Sequence, residues 1–253
     1  MGTEKLRGIV LREQAKGESN KQIVLLAQGV GRVLLSARGA RRAKSKLLAA
    51  TQLFCYADFV VYEGKGFYSV TQAELKNSFY GLRLDMDKFS EGEQLADLDA
   101  MALGFYLAEL TERSCPAGME QDAVLELLYY AFLVMDRGIL PPKLISRIFE
   151  LKLLQLNGLF ASDVCHICGE GEGTLYFDGR MGAFYCEKHR TEDSIFVLDA
   201  VRRAVRFVLE RESRAAFGFQ LSAEALEQLT FILRKYLEVH MGIRLKTRDF
   251  FEQ

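Results

Sequence analysis

The residues most able to do chemistry are Cys165, Cys168, Cys186 and His189, with seventeen residues between the inner two. Two residues separate the donors within each pair, so each pair can bend over a tight knuckle and present both donors to one point. Two such knuckles close a tetrahedron around one zinc ion. With four protein donors no position stays open for water or substrate, so the expected Zn2+ is structural. His166 is a rival fourth donor, but it adjoins Cys165 and would have to turn back past the knuckle. A zinc deaminase would need His-x-Glu ahead of Pro-Cys-x-x-Cys, and a metalloprotease would need His-Glu-x-x-His; neither string occurs. The bland alternative is five unrelated cysteines, but Cys55 and Cys115 stand alone while the other three cluster.

A second constellation is cationic. Arg32, Arg38, Arg41, Arg42, Lys44 and Lys46 fall within fifteen positions, and no acidic residue occurs from Ser19 to Ala57. Such a segment can lie along a phosphate backbone, each cation displacing a condensed counterion; six contacts to a single strand give a log affinity versus log salt slope of roughly −4. The competing account is a solvated loop. Phe54, Tyr56, Phe59, Tyr62, Phe67 and Tyr68 follow, and exposed members of this set could stack on unpaired bases. On a strand Phe54 and Tyr56 share one face and Phe59 takes the other, so most of the set is expected in a core.

The chain has 253 residues and a net charge of −1, which conceals a division. Residues 1–80 carry thirteen Lys or Arg against six Asp or Glu, whereas residues 81–253 carry twenty against twenty-eight. The first segment is therefore suited to a polyanion, and the second to a scaffold or to other partners. The N-terminal residues lack the apolar core of a signal peptide. The longest apolar run, Leu127 to Met135, is too short to cross a bilayer, and an odd cysteine count argues against a secreted disulfide scaffold. A reducing cytoplasm is the expected setting, with no membrane partner.

The elements that must position these residues change character near Tyr80. Before it, β-prone runs at Leu6–Glu13, Gln22–Ala27, Gly31–Ala37, Leu47–Tyr62 and Phe67–Ala73 predict a five-stranded oligonucleotide-binding (OB-fold) barrel over residues 1–80. Other small barrels are the alternative. After it the apolar period lengthens to that of helices, predicting an all-α domain over 81–253 and an α+β protein overall. A capping box at Ser90 and Glu93 precedes Leu95, Leu98, Met101, Ala102, Phe105 and Leu110 on one helical face. Further helices are expected at Met119–Arg137, from Pro141 and Pro142 to Leu156, at Leu198–Glu212 and at Ala223–His240. Ser222 should cap the last, with His240 at its negative end and Gly242 as its stop. A zinc ribbon is expected as an insert at about 161–192, its strands Thr174–Phe177 and Ala183–Tyr185 flanking a two-residue turn at Asp178-Gly179. Arg202, Arg203, Arg206, Arg211 and Arg214 read as a solvated helix face because Glu210 and Glu212 are interspersed. No Ser/His/Asp set, carboxylate pair or nucleotide loop is present, so enzyme is the weakest class.

A basic barrel, an all-helical second domain and a late Cys-x-x-Cys ribbon together resemble the RecO family of bacterial recombination mediators. The similarity rests on Ser36-Ala-Arg-Gly-Ala-Arg-Arg-Ala-Lys-Ser45, on Cys165-His-Ile-Cys-Gly169 and on Leu245-Lys-Thr247. The resemblance implies binding of single- and double-stranded DNA and annealing of complementary strands. It also implies help, with RecR, in placing RecA on DNA coated by single-strand-binding protein, in a cytoplasmic, nucleoid-associated setting. The family's ribbon commonly closes with a second Cys-x-x-Cys, whereas His189 takes the last position here. Zinc accepts imidazole readily, so the site should survive the change. Some members of the family lack the ligands. The second functional reading is a zinc-ribbon adaptor or regulator that acts through protein partners without annealing DNA.

Overall fold

In the computed structural model, the described residues are 2–64, 67–79, 82, 94–242, 245 and 247, excluding the side chains of 94–97. The expected capping box at Ser90 and Glu93 and the side chain of Leu95 lie outside them. The chain forms two compact units, Met1–Gly138 with Leu245–Gln253, and Ile139–Arg244.

The first unit is built on strands β1 (Thr3–Lys16), β2 (Asn20–Ala27), β3 (Gly31–Ala37), β4 (Tyr56–Gly64) and β5 (Phe67–Asn77). They close into a barrel in the order β1-β2-β3-β5-β4, so β1 must serve two neighbours. It does so by its length: Thr3 to Ile9 pair with β4 and Gly8 to Lys16 with β2, with an irregularity between Val10 and Arg12. Alternation fills the interior with Ile23, Leu25, Val33, Leu35, Phe59 and Val61, one face of each strand.

The outer face of β1 and β2 is apolar too, since Ile9, Leu11, Val24 and Leu26 are all buried. Helices α1 (Gln94–Ser114) and α2 (Asp122–Asp136) pack against it. Burying four such side chains contributes about 2 kcal/mol each, which is why these helices share a compact unit with the barrel. The division read near residue 80 therefore falls inside this unit. At Gly31 (φ +82°) an added Cβ would lie 1.7 Å from the Met119 carbonyl oxygen, so β3 approaches the α1–α2 connection as only glycine permits.

Two expectations for this unit need correction. Residues 47–55 do not extend β4 but form successive turns, with Thr51 N–H donating to Leu47 O at 3.1 Å and Cys55 N–H to Gln52 O at 3.3 Å. They end at Phe54, whose φ of +67° is costly for a side chain of that size. Its buried ring lies edge-on to Phe105 and Phe132, with centroids 5.5 and 5.2 Å away, and its N–H donates to Val10 O. Leu110 is buried as the spacing implies, but the rest of the buried face of α1 is Leu103, Tyr106 and Leu107, whereas Leu98 and Phe105 are 43% and 41% exposed. The helix contacts both the barrel and α2, so its contact face differs from the stripe that spacing alone selects.

The second unit comprises α3 (Pro142–Leu156), strands β6 (Leu175–Asp178), β7 (Ala183–Cys186) and β8 (Ile195–Phe196), α4 (Asp199–Glu210) and α5 (Ala223–Met241). Every residue of α3 from Leu144 to Leu154 is buried. Among them, Arg147 and Glu150 pair at 2.8 Å. Lys152 sends its ammonium to the carbonyls of Val208 and Arg211, at 3.2 and 2.5 Å, at the negative end of α4. Burial pulls the Lys152 pKa down. Ser222 Oγ accepts the Ala225 N–H at the start of α5, and Gly242 ends it in the left-handed conformation.

Candidate nucleic-acid interface and metal centre

The basic loop leaves β3 beside the β1–β2 turn and is fastened there. Gly39 N–H donates to Asn20 Oδ1 at 2.9 Å, Arg41 N–H to Ser19 O at 3.0 Å, and Arg41 Nη1 to Gly17 O at 2.8 Å. Arg38, Arg42, Lys44 and Lys46 are exposed and make no ion pair with a described carboxylate. These four and Arg41 thus form one cationic end of the barrel. Arg32 is separate from them, because the register places it opposite Leu26 at the far end of β2. Its guanidinium lies 3.9 Å from Glu112, which also takes Nε and Nη2 of Arg12 at 3.1 and 3.0 Å. Glu112 raises the Arg12 pKa mainly through those hydrogen bonds.

The aromatic set divides as well. Phe54 and Phe59 are buried and Tyr56 is half-buried, whereas Tyr62 and Phe67 are 40% and 52% exposed on the β4–β5 hairpin. Ser36 pairs with Ser69, which pairs with Tyr62, so Tyr62 is about 10 Å across the sheet from Ser36. Ser36 lies two residues before Arg38, so Tyr62 is near the start of the basic loop, although in the parallel β3–β5 pair the β4–β5 turn and the loop leave opposite ends.

In the second unit the four expected donors converge, with all ligand atoms within 4.8 Å of one another. Cys168 and Cys186 sulfurs are 3.8 Å apart, and His189 Nδ1 is 3.6 Å from Cys165 Sγ and 3.3 Å from Cys186 Sγ. A tetrahedron with Zn–S of about 2.3 Å and Zn–N of about 2.0 Å has edges of about 3.8 Å between sulfurs and 3.5 Å between sulfur and nitrogen. The donor set fits a metal of that kind, and His189, not His166, belongs to it. Backbone builds the first knuckle: Gly169 N–H donates to Cys165 O and Cys165 N–H to Glu170 O, both at 2.8 Å. Burial favours the neutral Cys165 thiol. Backbone N–H groups of Cys168, Cys186 and Ile167, with the His189 ring, outweigh it and bring the thiol down to about 6.

Three features of the ribbon were not anticipated. Asp178 pairs with Ala183, leaving four residues in the turn instead of two, and its Oδ1 accepts the Arg180 and Met181 N–H groups at 2.8 and 3.1 Å. Its Oδ2 accepts Thr191 Oγ1 at 2.6 Å, and this bond leads the N–H groups in holding the carboxyl below its usual range against the opposing effect of burial. The short β8 adds a third strand beside β6. Arg202 and Arg206 are not simply a solvated face of α4. Arg202 is buried and donates to Asp163 Oδ2 at 3.0 Å, to Gly173 O at 2.6 Å and to Gly171 O, while Arg206 reaches Asp163 Oδ1 at 3.2 Å and Gly171 O at 2.5 Å. The i, i+4 spacing of the two arginines was a visible signal; their carbonyl partners were not. His240 at the end of α5 contacts Gly182 O at 2.8 Å, so α5 also holds the hairpin.

A closed β1-β2-β3-β5-β4 barrel with a cationic end, followed by helices that carry a Cys3His ribbon, defines an oligonucleotide-binding type of barrel joined to a metal-ribbon helical region. Family models described as recombination protein O N terminal and recombination protein O C terminal match residues 1–79 and 95–249. The chain belongs to the recombination protein O (RecO) family of DNA repair proteins. It is 28% identical to the DNA repair protein RecO of Bacillus mycoides over 99% of this chain and 97% of that one. Identity to the proteins of the same name from Bacillus cereus and Bacillus anthracis is 27% with the same coverage. Among the described residues no helix is long and apolar enough to cross a membrane.

Proposed function

We propose that this chain is a recombination mediator without catalytic turnover. It binds single- and double-stranded DNA through residues 1–80, anneals complementary strands, and with RecR helps load RecA onto DNA coated by single-strand-binding protein. The carrying observation is the group of exposed Arg38, Arg42, Lys44 and Lys46 at one end of the barrel, unpaired with any described carboxylate. Annealing brings two polyanions together, and cations that contact phosphate without reading bases lower their repulsion on any sequence. Tyr62 and Phe67 offer exposed faces on which unpaired bases can stack. Residues 81–253 act as the helical, partner-binding part, with a structural Zn2+ held by Cys165, Cys168, Cys186 and His189 in the insert at about 161–192. The ion supplies rigidity there, joining the first knuckle to a second that the His189 N–H bends by donating to Cys186 O at 3.0 Å.

The test is annealing of complementary oligonucleotides of unrelated sequence by the wild type and by the triple variant Arg38→Ala, Arg42→Ala, Lys44→Ala. Accelerated annealing by the wild type, lost equally for all sequences in the variant, is expected. Annealing unaltered in the variant would leave the chain as an adaptor that works through protein partners.

A further inference from the structure

The first unit holds a cavity of about 570 Å³ on the side of α2, lined by Gln28, Tyr56, Asp122, Leu125, Glu126, Tyr129 and Tyr130 among others. Its volume is that of a ligand site, and three tyrosines stand in its wall. Tyr56 and Tyr129 meet edge to face with centroids 5.0 Å apart, and Tyr130 stands 5.6 Å from Tyr129. The charges lining it are both negative. Asp122 is engaged, accepting the Gly29 N–H at 2.7 Å, whereas Glu126 is exposed and has no partner among the described residues. The cation that acts on Tyr56, Arg7, is paired with Asp58 through bonds of 2.5 and 2.8 Å. Phosphate is therefore disfavoured here. A cation is favoured twice, by the electron-rich ring faces and by the unpaired carboxylate.

We propose that this cavity is a docking site for a basic side chain, an arginine or lysine flanked by apolar residues, on a peptide segment of a partner protein. Charge complementarity selects that occupant, and the apolar floor at Leu125 accepts its neighbours. The site lies at the Gln28 end of β2, while the cationic loop lies at the Asn20 end, seven residue steps or about 23 Å away along the strand. A partner can thus be held without competing for the surface assigned to DNA. Partner docking here does not depend on that assignment, and it is measured without oligonucleotide present.

The test titrates acetyl-Leu-Arg-Leu-amide, and the same peptide with neutral citrulline in place of arginine, into the full chain labelled on its tyrosine rings. Saturable shifts at Tyr129 and Tyr130 are expected, with the arginine peptide binding more tightly. Glu126→Gln should weaken the arginine peptide about three-fold, as expected of an exposed ion pair, and leave the citrulline peptide unchanged. Tyr130→Ala, which spares the Tyr129 contact with Phe79, should weaken both peptides. Absence of saturable shifts, equal affinity for the two peptides, or an arginine affinity unaltered in Glu126→Gln would each overturn the proposal.

Discussion

Replacing Arg38, Arg42 and Lys44 with Ala gives the most direct quantitative test of the barrel's cationic end. The structure reduces the six cations of the sequence to four free ones. Arg32 is drawn to Glu112, and Arg41 shares its guanidinium with Gly17 O and Glu18 O. Four phosphate contacts to a single strand give a log–log salt slope of about −2.8, and the triple variant, with Lys46 alone, about −0.7. Between 50 and 200 mM salt the wild type should then lose about 50-fold in affinity and the variant about three-fold. Fluorescence anisotropy of a labelled oligonucleotide across that range, repeated for two unrelated sequences, measures both slopes. Parallel lines for the two proteins would show that phosphate is bound elsewhere, whatever the absolute affinities.

Other perturbations have equally definite outcomes. Cys186→Ser should release the metal and unfold the ribbon, since structural zinc is worth on the order of 10 kcal/mol; a zinc assay with circular dichroism reads this, and His189→Cys should retain the ion. Replacing both Arg202 and Arg206 with Met should lower the stability of the second unit by about 3–5 kcal/mol by stranding buried Asp163, measured as the denaturation midpoint of the full chain; an unchanged midpoint would show that the clamp is ornamental. Because the folded Asp178 pKa is depressed, its contribution is fully present above the unfolded value of about 4 and is lost as pH falls through the lower folded value. Thr191→Val should raise the Asp178 pKa, and a carboxyl titration by NMR that does not move would refute Thr191 as its main cause.

The sequence made legible what is local. Alternation at Ile23, Leu25, Val33 and Leu35 marked strands, Ser222 and Gly242 bracketed α5, and donor spacing marked the convergence at Cys165, Cys168, Cys186 and His189. It could not show what depends on neighbours distant in the chain. Arg32 and Arg38 look alike in a basic run, but only the fold sets Glu112 beside one of them. Leu98 and Phe105 lie on a plausible apolar stripe, yet α1 turns Leu103 and Tyr106 inward because barrel and α2 both press on it. The turns at 47–55 are rich in Leu and Ala, and composition there does not distinguish turn from strand. Arg202 and Arg206 were read with their exposed neighbours because Asp163 and the Gly171 and Gly173 carbonyls lie about 30 to 40 positions away.

Thr247, which follows the whole of the second unit in the chain, returns to the first and gives its N–H and hydroxyl to Glu109 of α1 at 3.0 and 2.8 Å. Residues 139–244 are in this sense a detour whose departure and return are both pinned to a body made largely of earlier residues. While that body stays folded, melting of the detour yields a tethered loop with less conformational freedom than an open chain. Synthesis runs the other way. On a ribosome the anchoring contact at Glu109 must wait until the ribbon and three helices have emerged, so α1 is completed only after the whole of the second unit has been made.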